Sequence, residues 1–149
     1  MPFLVRRVKV EDMPRVELLA SDEAKRFPAR GGWLSTARRQ LEKALSDEPQ
    51  GILLADYDGR VVGVAVVRHQ GTHPVTGLRH GTLQLLVVAQ GWRAQGVAAR
   101  LLREAEAYCK ARGAEVLTLQ LPADAGEDAD VFKESGYQVA GWELERSLK

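Results

Sequence analysis

Residues 3–10, "FLVRRVKV", alternate apolar and polar positions, the period-two pattern of a strand with one buried face. The next run, "EDMPRVELLA" (11–20), opens with two acids and carries Pro14 in its first turn, which predicts a helix. Pro28 and the pair Gly31 and Gly32 break that pattern and mark a loop. Ser35 then stands as an N-cap before "TARRQLEKALSD", whose Leu41, Ala44 and Leu45 share one side of a helix. "GILLADYDGRVVGVAVV" reads as two β-rich runs around Asp58-Gly59, a hairpin signal. "RHQGTHPVTGLRH" (68–80) is polar and turn-rich, a loop, and "TLQLLVVA" (82–89) is a strand whose near-continuous apolar run predicts burial on both faces. "VAARLLREAEAYCKAR" (97–112) is helical with Gly113 as its C-cap, and "AEVLTLQL" (114–121) is the next strand. Strand, helix, strand is a βαβ unit, so its two strands are parallel and its crossover right-handed. A loop "PADAGEDAD", a short helix "VFKES" and a closing strand pair, "YQVAG" and "WELERSL", follow. The pattern predicts a single α/β domain over residues 1–149, with a mixed sheet.

Composition narrows what such a domain does. The chain has 149 residues, of which 45% are hydrophobic, and 21 Lys and Arg almost cancel 20 Asp and Glu. That balance argues against a protein that coats nucleic acid or an anionic membrane. Its single cysteine, Cys109, excludes an internal disulfide framework and suits a reducing compartment. The apolar run at the N-terminus is too short for a signal peptide, with charges arriving by Arg6, and no stretch approaches the roughly 20 apolar residues of a membrane span. The expectation is a cytoplasmic domain.

One stretch stands out chemically. In "VVAQGWRAQGVAARLL" (87–102) an apolar strand ends, two glycines frame a polar loop, and a helix begins at once. Such a loop aims unpaired backbone N–H groups at one spot, with the positive helix end behind them. Gly96 lets a ligand approach the main chain, and Ala98 is small enough to stay clear of it. The loop is either an anion site, with phosphate the natural occupant, or a plain turn. Gly91 and Gly96 have P-loop spacing, but Val97 and Ala98 stand where Lys and Ser or Thr are required. The dinucleotide pattern G-x-G-x-x-G is absent.

Arg93-Ala94-Gln95-Gly96-Val97-Ala98 resembles the Arg/Gln-x-x-Gly-x-Gly/Ala signature of the GNAT superfamily of acyl-CoA-dependent N-acyltransferases. The element order over most of the chain is similar to that family's fold, a largely antiparallel sheet with a central parallel βαβ unit. The resemblance implies an acetyl or related acyl group moved from acetyl-CoA to an amine acceptor by direct attack, with no metal. It implies that the N–H groups of Arg93, Ala94, Gln95, Gly96, Val97 and Ala98 hold the pyrophosphate, with Arg93 adding charge. Leu86, Val87 and Val88 would pair with the pantetheine arm as an extra strand does. A backbone N–H near Val87 or Val88 would hold the thioester oxyanion. A small-molecule or peptide amine is the implied partner, without nucleic acid or membrane; homodimers are common in the family, and the sequence carries no sign either way.

Two catalytic groups common in that family are missing. "VFKESGY" is similar to its aliphatic-Tyr-x-x-x-Gly-aromatic segment, but the cofactor-side tyrosine that protonates the departing thiolate is here Phe132. Gln84 occupies the place of a carboxylate base, and an amide is not basic at neutral pH. Ala125 replaces a frequent Asn. An enzyme without these groups and an acyl-CoA-binding sensor of the same fold both remain open. A positioned acid or base is worth roughly 10²–10⁴-fold, so slow transfer to a weakly basic amine survives their loss. Cys109 reads as a core thiol on the apolar side of its helix. His69, His73 and His80 fall in the loop before the long strand with loose spacing and no adjacent carboxylate or cysteine, which disfavours metal ligation. His80 could serve as a base only if the loop folds back towards Leu86, six residues on, so a solvent-exposed role is expected of it. Trp92 is expected to pack beside the glycine loop, while Phe27 and Trp33 read as core plugs or a substrate wall. Glu143 and Glu145 read as a solvated strand face or a lure for a cationic amine.

Overall fold

The computed structural model describes residues 2–24, 33–121, 127–141 and 143–149. Its elements are β1 (Leu4–Arg7), α1 (Met13–Ala24), α2 (Trp33–Asp47), β2 (Ile52–Tyr57), β3 (Arg60–Thr72), β4 (Arg79–Val88), α3 (Val97–Ala111), β5 (Val116–Thr118) and α4 (Glu127–Glu134). The five strands form one mixed sheet in sequence order. β1 to β4 are antiparallel, and β5 runs parallel to β4. Asp58 (φ 50°) and Gly59 (φ 83°) supply the two positive φ angles that a tight β2–β3 turn requires.

Side-chain alternation divides the apolar residues between two cores. Leu53, Ala65, Val67, Leu83 and Val88 face α3, where they meet Val97, Leu101, Ala105 and Cys109. Ile52, Leu54, Val64, Val66, Leu85 and Val87 face α1 and α2, against Val16, Leu19, Ala37 and Leu41. β4 is therefore covered on both sides, which is why its apolar run is nearly continuous. Gly63 lets the start of α3 sit close to the sheet, since a Cβ there would lie 2.8 Å from Val97 and 3.0 Å from Leu101.

Four local expectations change. α2 begins at Trp33, directly after the glycine pair, so Ser35 lies inside the first turn rather than capping it. The β3–β4 ladder continues out to Thr72 paired with Arg79, which puts His69 and His80 in strands rather than in a loop. β5 pairs over only three positions, His80–Val116, Gly81–Leu117 and Thr82–Thr118, because β4 and β5 part beyond Thr82. Residues 137–141 and 143–149 form no strand among the described residues, and Val139, Leu144 and Leu148 are exposed. A period-two pattern becomes a strand only where a sheet edge takes up its backbone bonds, so the βαβ unit lies at one edge of the described sheet.

An ion cluster ties β1 to the rest. Arg6 binds both oxygens of Asp12 and one of Asp56, each at 2.8 Å, and the Lys9 N–H donates to Asp12 at 2.7 Å. The Arg6 hydrogen bonds hold the buried Asp12 carboxyl down at about 2. A depressed carboxylate contributes stability that is full above its unfolded value and is lost as pH falls through the folded one. Arg6→Ala is expected to destabilise the fold by about 2 kcal/mol at pH 7 in urea unfolding. That difference should shrink between pH 4 and pH 2; a gap that persists at pH 2 would count against the ion pair as its source.

Candidate functional site

The glycine loop is built at the point where β4 hands over to α3. A 3-10 turn spans Gln90–Gln95, and Gly96 follows in the left-handed region at φ 78° and ψ 13°. This reversal starts α3 with Gly96 as its N-cap, and the Arg100 N–H returns to the Gly96 carbonyl at 3.1 Å. Among the described residues the N–H groups of Gly96, Val97, Ala98 and Ala99 find no backbone acceptor outside the helix. A helix start leaves such donors to an outside partner. A Cβ built on Gly96 meets nothing within 4 Å among the described residues, so there is space beside the loop at that position. The arrangement fits an anion.

Arg93 sits in the same loop and is partly exposed, with Nη2 at 2.7 Å from Oε2 of Glu23, in the last turn of α1. Glu23 is a partner that no local sequence signal reveals, 70 residues away. Trp92 is buried beneath the loop, 4.9 Å from the Tyr57 ring and 6.4 Å from that of Phe3. It props the loop from below. A cleft of about 420 Å³ lies between α1 and the β2–β3 turn, lined by Arg15, Leu19, Asp22, Arg60 and Ala89 among others.

The second part of the site is the free edge of β4. Beyond Thr82 that strand has no partner on the β5 side among the described residues. The Ala89 N–H donates to Val62 at 2.8 Å, and Val88 and Val87 stand opposite Gly63 and Val64. In an antiparallel ladder inward and outward pairs alternate, so the N–H and C=O of Val87 turn to β3. Those of Leu86 and Val88 turn to the open side. Side by side, the open edge and the loop donors make one continuous backbone surface.

Gln84 marks the start of that edge. Val67 faces Leu83 and Val66 faces Leu85, which leaves Gln84 as an extra residue in β4, a β-bulge. Its Oε1 is buried and has no hydrogen-bond donor among the described residues. An unsatisfied buried carbonyl costs about 1–3 kcal/mol. Phe132, on α4, is buried in the α3-side core with its ring 5.7 Å from that of Tyr137. The Tyr137 hydroxyl donates to Glu106 of α3 at 2.6 Å, and burial followed by that bond pushes its ionisation far up. Tyr108 is likewise tied to Glu48.

The remaining candidates fall elsewhere. Cys109 is buried against Gly81, and burial pushes its thiol up to about 11, which suits packing and not nucleophilic attack. His80 is buried, not exposed as expected, because the lengthened ladder carries it inside; its Nδ1 lies 3.0 Å from the Gly71 carbonyl. The His73 ring stands edge-on 4.9 Å away and accepts the Val75 N–H, while His69 lies apart on β3. Among the described residues no three His, Cys, Asp or Glu come together as a metal site would need. No helix there is long and apolar enough to cross a membrane. Glu143 and Glu145 are exposed, with no strand around them. Phe27, Ala125 and the side chain of Trp33 lie outside the described residues.

Comparison with known proteins bears on the family and the fold. The family model described as "Acetyltransferase (GNAT) family" matches residues 16–137, most of the chain. No curated protein sequence matches it. Solved structures share the fold at low identity. A ribosomal-protein-alanine N-acetyltransferase from Brucella melitensis biovar Abortus 2308 is 23% identical, with a TM-score of 0.73 and 99% of each chain covered. An aminoglycoside N-acetyltransferase solved in complex with CoA is 15% identical, with a TM-score of 0.72, 98% of this chain and 99% of that one covered. A protein described as a transcriptional regulator from Bacillus halodurans C-125 is 16% identical, with a TM-score of 0.77, 99% of this chain and 100% of that one covered.

Proposed function

Because this chain belongs to the acetyltransferase (GNAT) family, we propose that residues 1–149 form one domain that transfers an acetyl group from acetyl-CoA to an amine. The observation that carries the reading is that, among the described residues, four N–H groups without an acceptor outside the helix, Gly96 to Ala99, follow directly on the edge of β4 that β5 leaves open. The N–H groups of Gly96, Val97 and Ala98 hold the pyrophosphate, and Arg93 adds positive charge from beside them. Ala94 and Gln95 complete the turn that aims these donors. Leu86 and Val88 offer their outward N–H and C=O groups to the pantetheine amides, as a sheet edge does to an added strand. Of the two positions the sequence offers for the oxyanion, Val88 has the N–H free for it, since Val87 is spent on β3. Leu86 is the other outward donor on that edge. Phe132 supplies an apolar surface near the departing sulfur and no proton.

Acetyl-CoA supplies the activated acyl group. The chain contributes orientation and oxyanion stabilisation, and the acceptor amine attacks without a protein nucleophile. The absence of a hydroxyl at Phe132 and of a carboxylate at Gln84 favours a second reading, in which the same surface binds acyl-CoA as a sensor. Fold alone does not separate the two. Free-thiol release from acetyl-CoA, with and without amines, does. Amine-dependent release matched by an equal amount of acetylated amine is the expected result; binding without release with every amine would leave the sensor.

A further inference from the structure

The bulge fixes more than the course of β4. Leu83 points to the α3-side core, whereas Leu85 and Val87 point to the α1–α2 side. Gln84 is the extra residue between Leu83 and Leu85, where two residues of β4 answer one of β3 and the alternation of faces is broken. Gln84 thus stands two residues beyond the last β4–β5 pair, at the head of the open edge, with a buried oxygen that accepts no hydrogen bond among the described residues. Buried polar atoms in native proteins are almost always matched, so this one awaits a donor from water or a ligand. An amide oxygen accepts a hydrogen bond and does not take the proton.

Among the described residues, four other groups that could move a proton are committed. The Tyr108 and Tyr137 hydroxyls are bound to Glu48 and Glu106, the Cys109 thiol is packed against Gly81, and His80 is turned to Gly71. None of these four is placed to deprotonate an amine that arrives protonated.

Resting on the acetyltransferase reading above, we propose that the Gln84 carbonyl oxygen receives an N–H of the attacking amine and aims its lone pair at the thioester, and that the chain selects amines already neutral near pH 7, the α-amino groups of amino acids and peptides. The lone pair forms the N–C bond at the carbonyl carbon and the C–S bond breaks. The departing thiolate takes up, through water, the proton that the nitrogen sheds, giving amide and thiol. With ordinary values of about 7.7–8.0 for an α-amine and about 10.4 for lysine, roughly one α-amine in ten is neutral at pH 7, against about one lysine amine in 2,500. That ratio sets the selectivity.

The test compares alaninamide with Nα-acetyl-lysinamide as acceptors, with acetyl-CoA binding followed separately by calorimetry. Wild type is expected to favour the α-amine by about 100-fold or more in kcat/KM. Gln84→Met, which keeps the shape and removes the acceptor, should lower kcat/KM for alaninamide about tenfold with acetyl-CoA affinity unchanged. Gln84→Glu, which installs a base, should raise the lysine rate at least about tenfold and narrow the preference. Equal rates for the two amines in wild type, or a Gln84→Met variant as active as wild type, overturn the proposal alone. Binding without transfer to either amine overturns it and leaves the sensor. No binding of acetyl-CoA overturns the underlying acetyltransferase reading as well.

Discussion

Gly96→Trp is expected to lower the affinity for acetyl-CoA at least about 100-fold, the equivalent of losing one or two charge-assisted hydrogen bonds at about 1.5–3 kcal/mol each. The indole has room, because a Cβ at Gly96 meets nothing within 4 Å among the described residues, but in the proposed site that room belongs to the pyrophosphate. The fold should survive. At φ 78° any side chain in this position costs about 1–2 kcal/mol, which lowers the melting temperature by a few degrees without unfolding the domain. Gly96→Ala separates the two effects. It carries the same backbone strain with almost none of the bulk, so it should melt like the tryptophan variant and keep most of the affinity. Calorimetric titration of both variants checks this, and equal losses of affinity would mean that loop conformation rather than occupied space was at fault.

The second large effect concerns the missing acid. Phe132→Tyr is expected to raise kcat about tenfold to 100-fold with any accepted amine, at the low end of what a positioned general acid contributes. The gain is at the low end because a thiol with an ordinary value of about 8.5 already leaves tolerably well as the thiolate. In the free protein the added hydroxyl enters a buried apolar site beside the Tyr137 ring, whose own hydroxyl is held by Glu106. The variant should therefore melt at a lower temperature than wild type and regain part of the loss when CoA binds and offers its sulfur as a partner. A stable variant with no increase in rate would show that protonation of the leaving group does not limit turnover. It would also shift weight to Gln84 as the departure that matters more.

How much of this could be read in the sequence follows from how local each signal is. The Asp58-Gly59 turn, the crossover helix and the loop at Gly96 are written in neighbouring residues, and they stand where the pattern puts them. The two-sided burial of β4 is equally plain from its run of Leu and Val. The bulge at Gln84 is different in kind. Nothing in "TLQLLVVA" marks which residue is the extra one; the register against Val66 and Val67 decides it, and that register depends on two strands and both helix layers at once. The Arg93–Glu23 pair joins residues that meet only after α1 has docked. The polar stretch around His80 has the composition of a loop, which would leave it exposed, and the ladder instead runs through it to Thr72 and Arg79. The closing strands failed for the opposite reason. Their alternation is clear, but alternation describes the face of a strand and not the neighbour it needs.

The division between loop and edge also explains why the family's binding half can persist while its proton-moving half is altered. In the proposed site pyrophosphate and pantetheine are held by backbone groups, which most side-chain substitutions leave in place so long as Gly96 and Gly63 keep the main chain close. Acid and base are single side chains, and the family resemblance puts Phe132 and Gln84, neither of them ionisable, at their two positions. Such a site keeps orientation and oxyanion stabilisation and leaves the protonation state of the amine to the solution.

The most direct test is a calorimetric titration of the wild-type chain with acetyl-CoA and with S-acetylpantetheine, which keeps the thioester arm and lacks the pyrophosphate. Micromolar binding of acetyl-CoA at one site, and binding of the truncated thioester weaker by at least about 100-fold, is the expected result, since the loop donors then have nothing to hold. Equal affinity for both ligands, or no binding of either, would contradict the assignment of the Gly96 loop and the β4 edge as the acyl-CoA site.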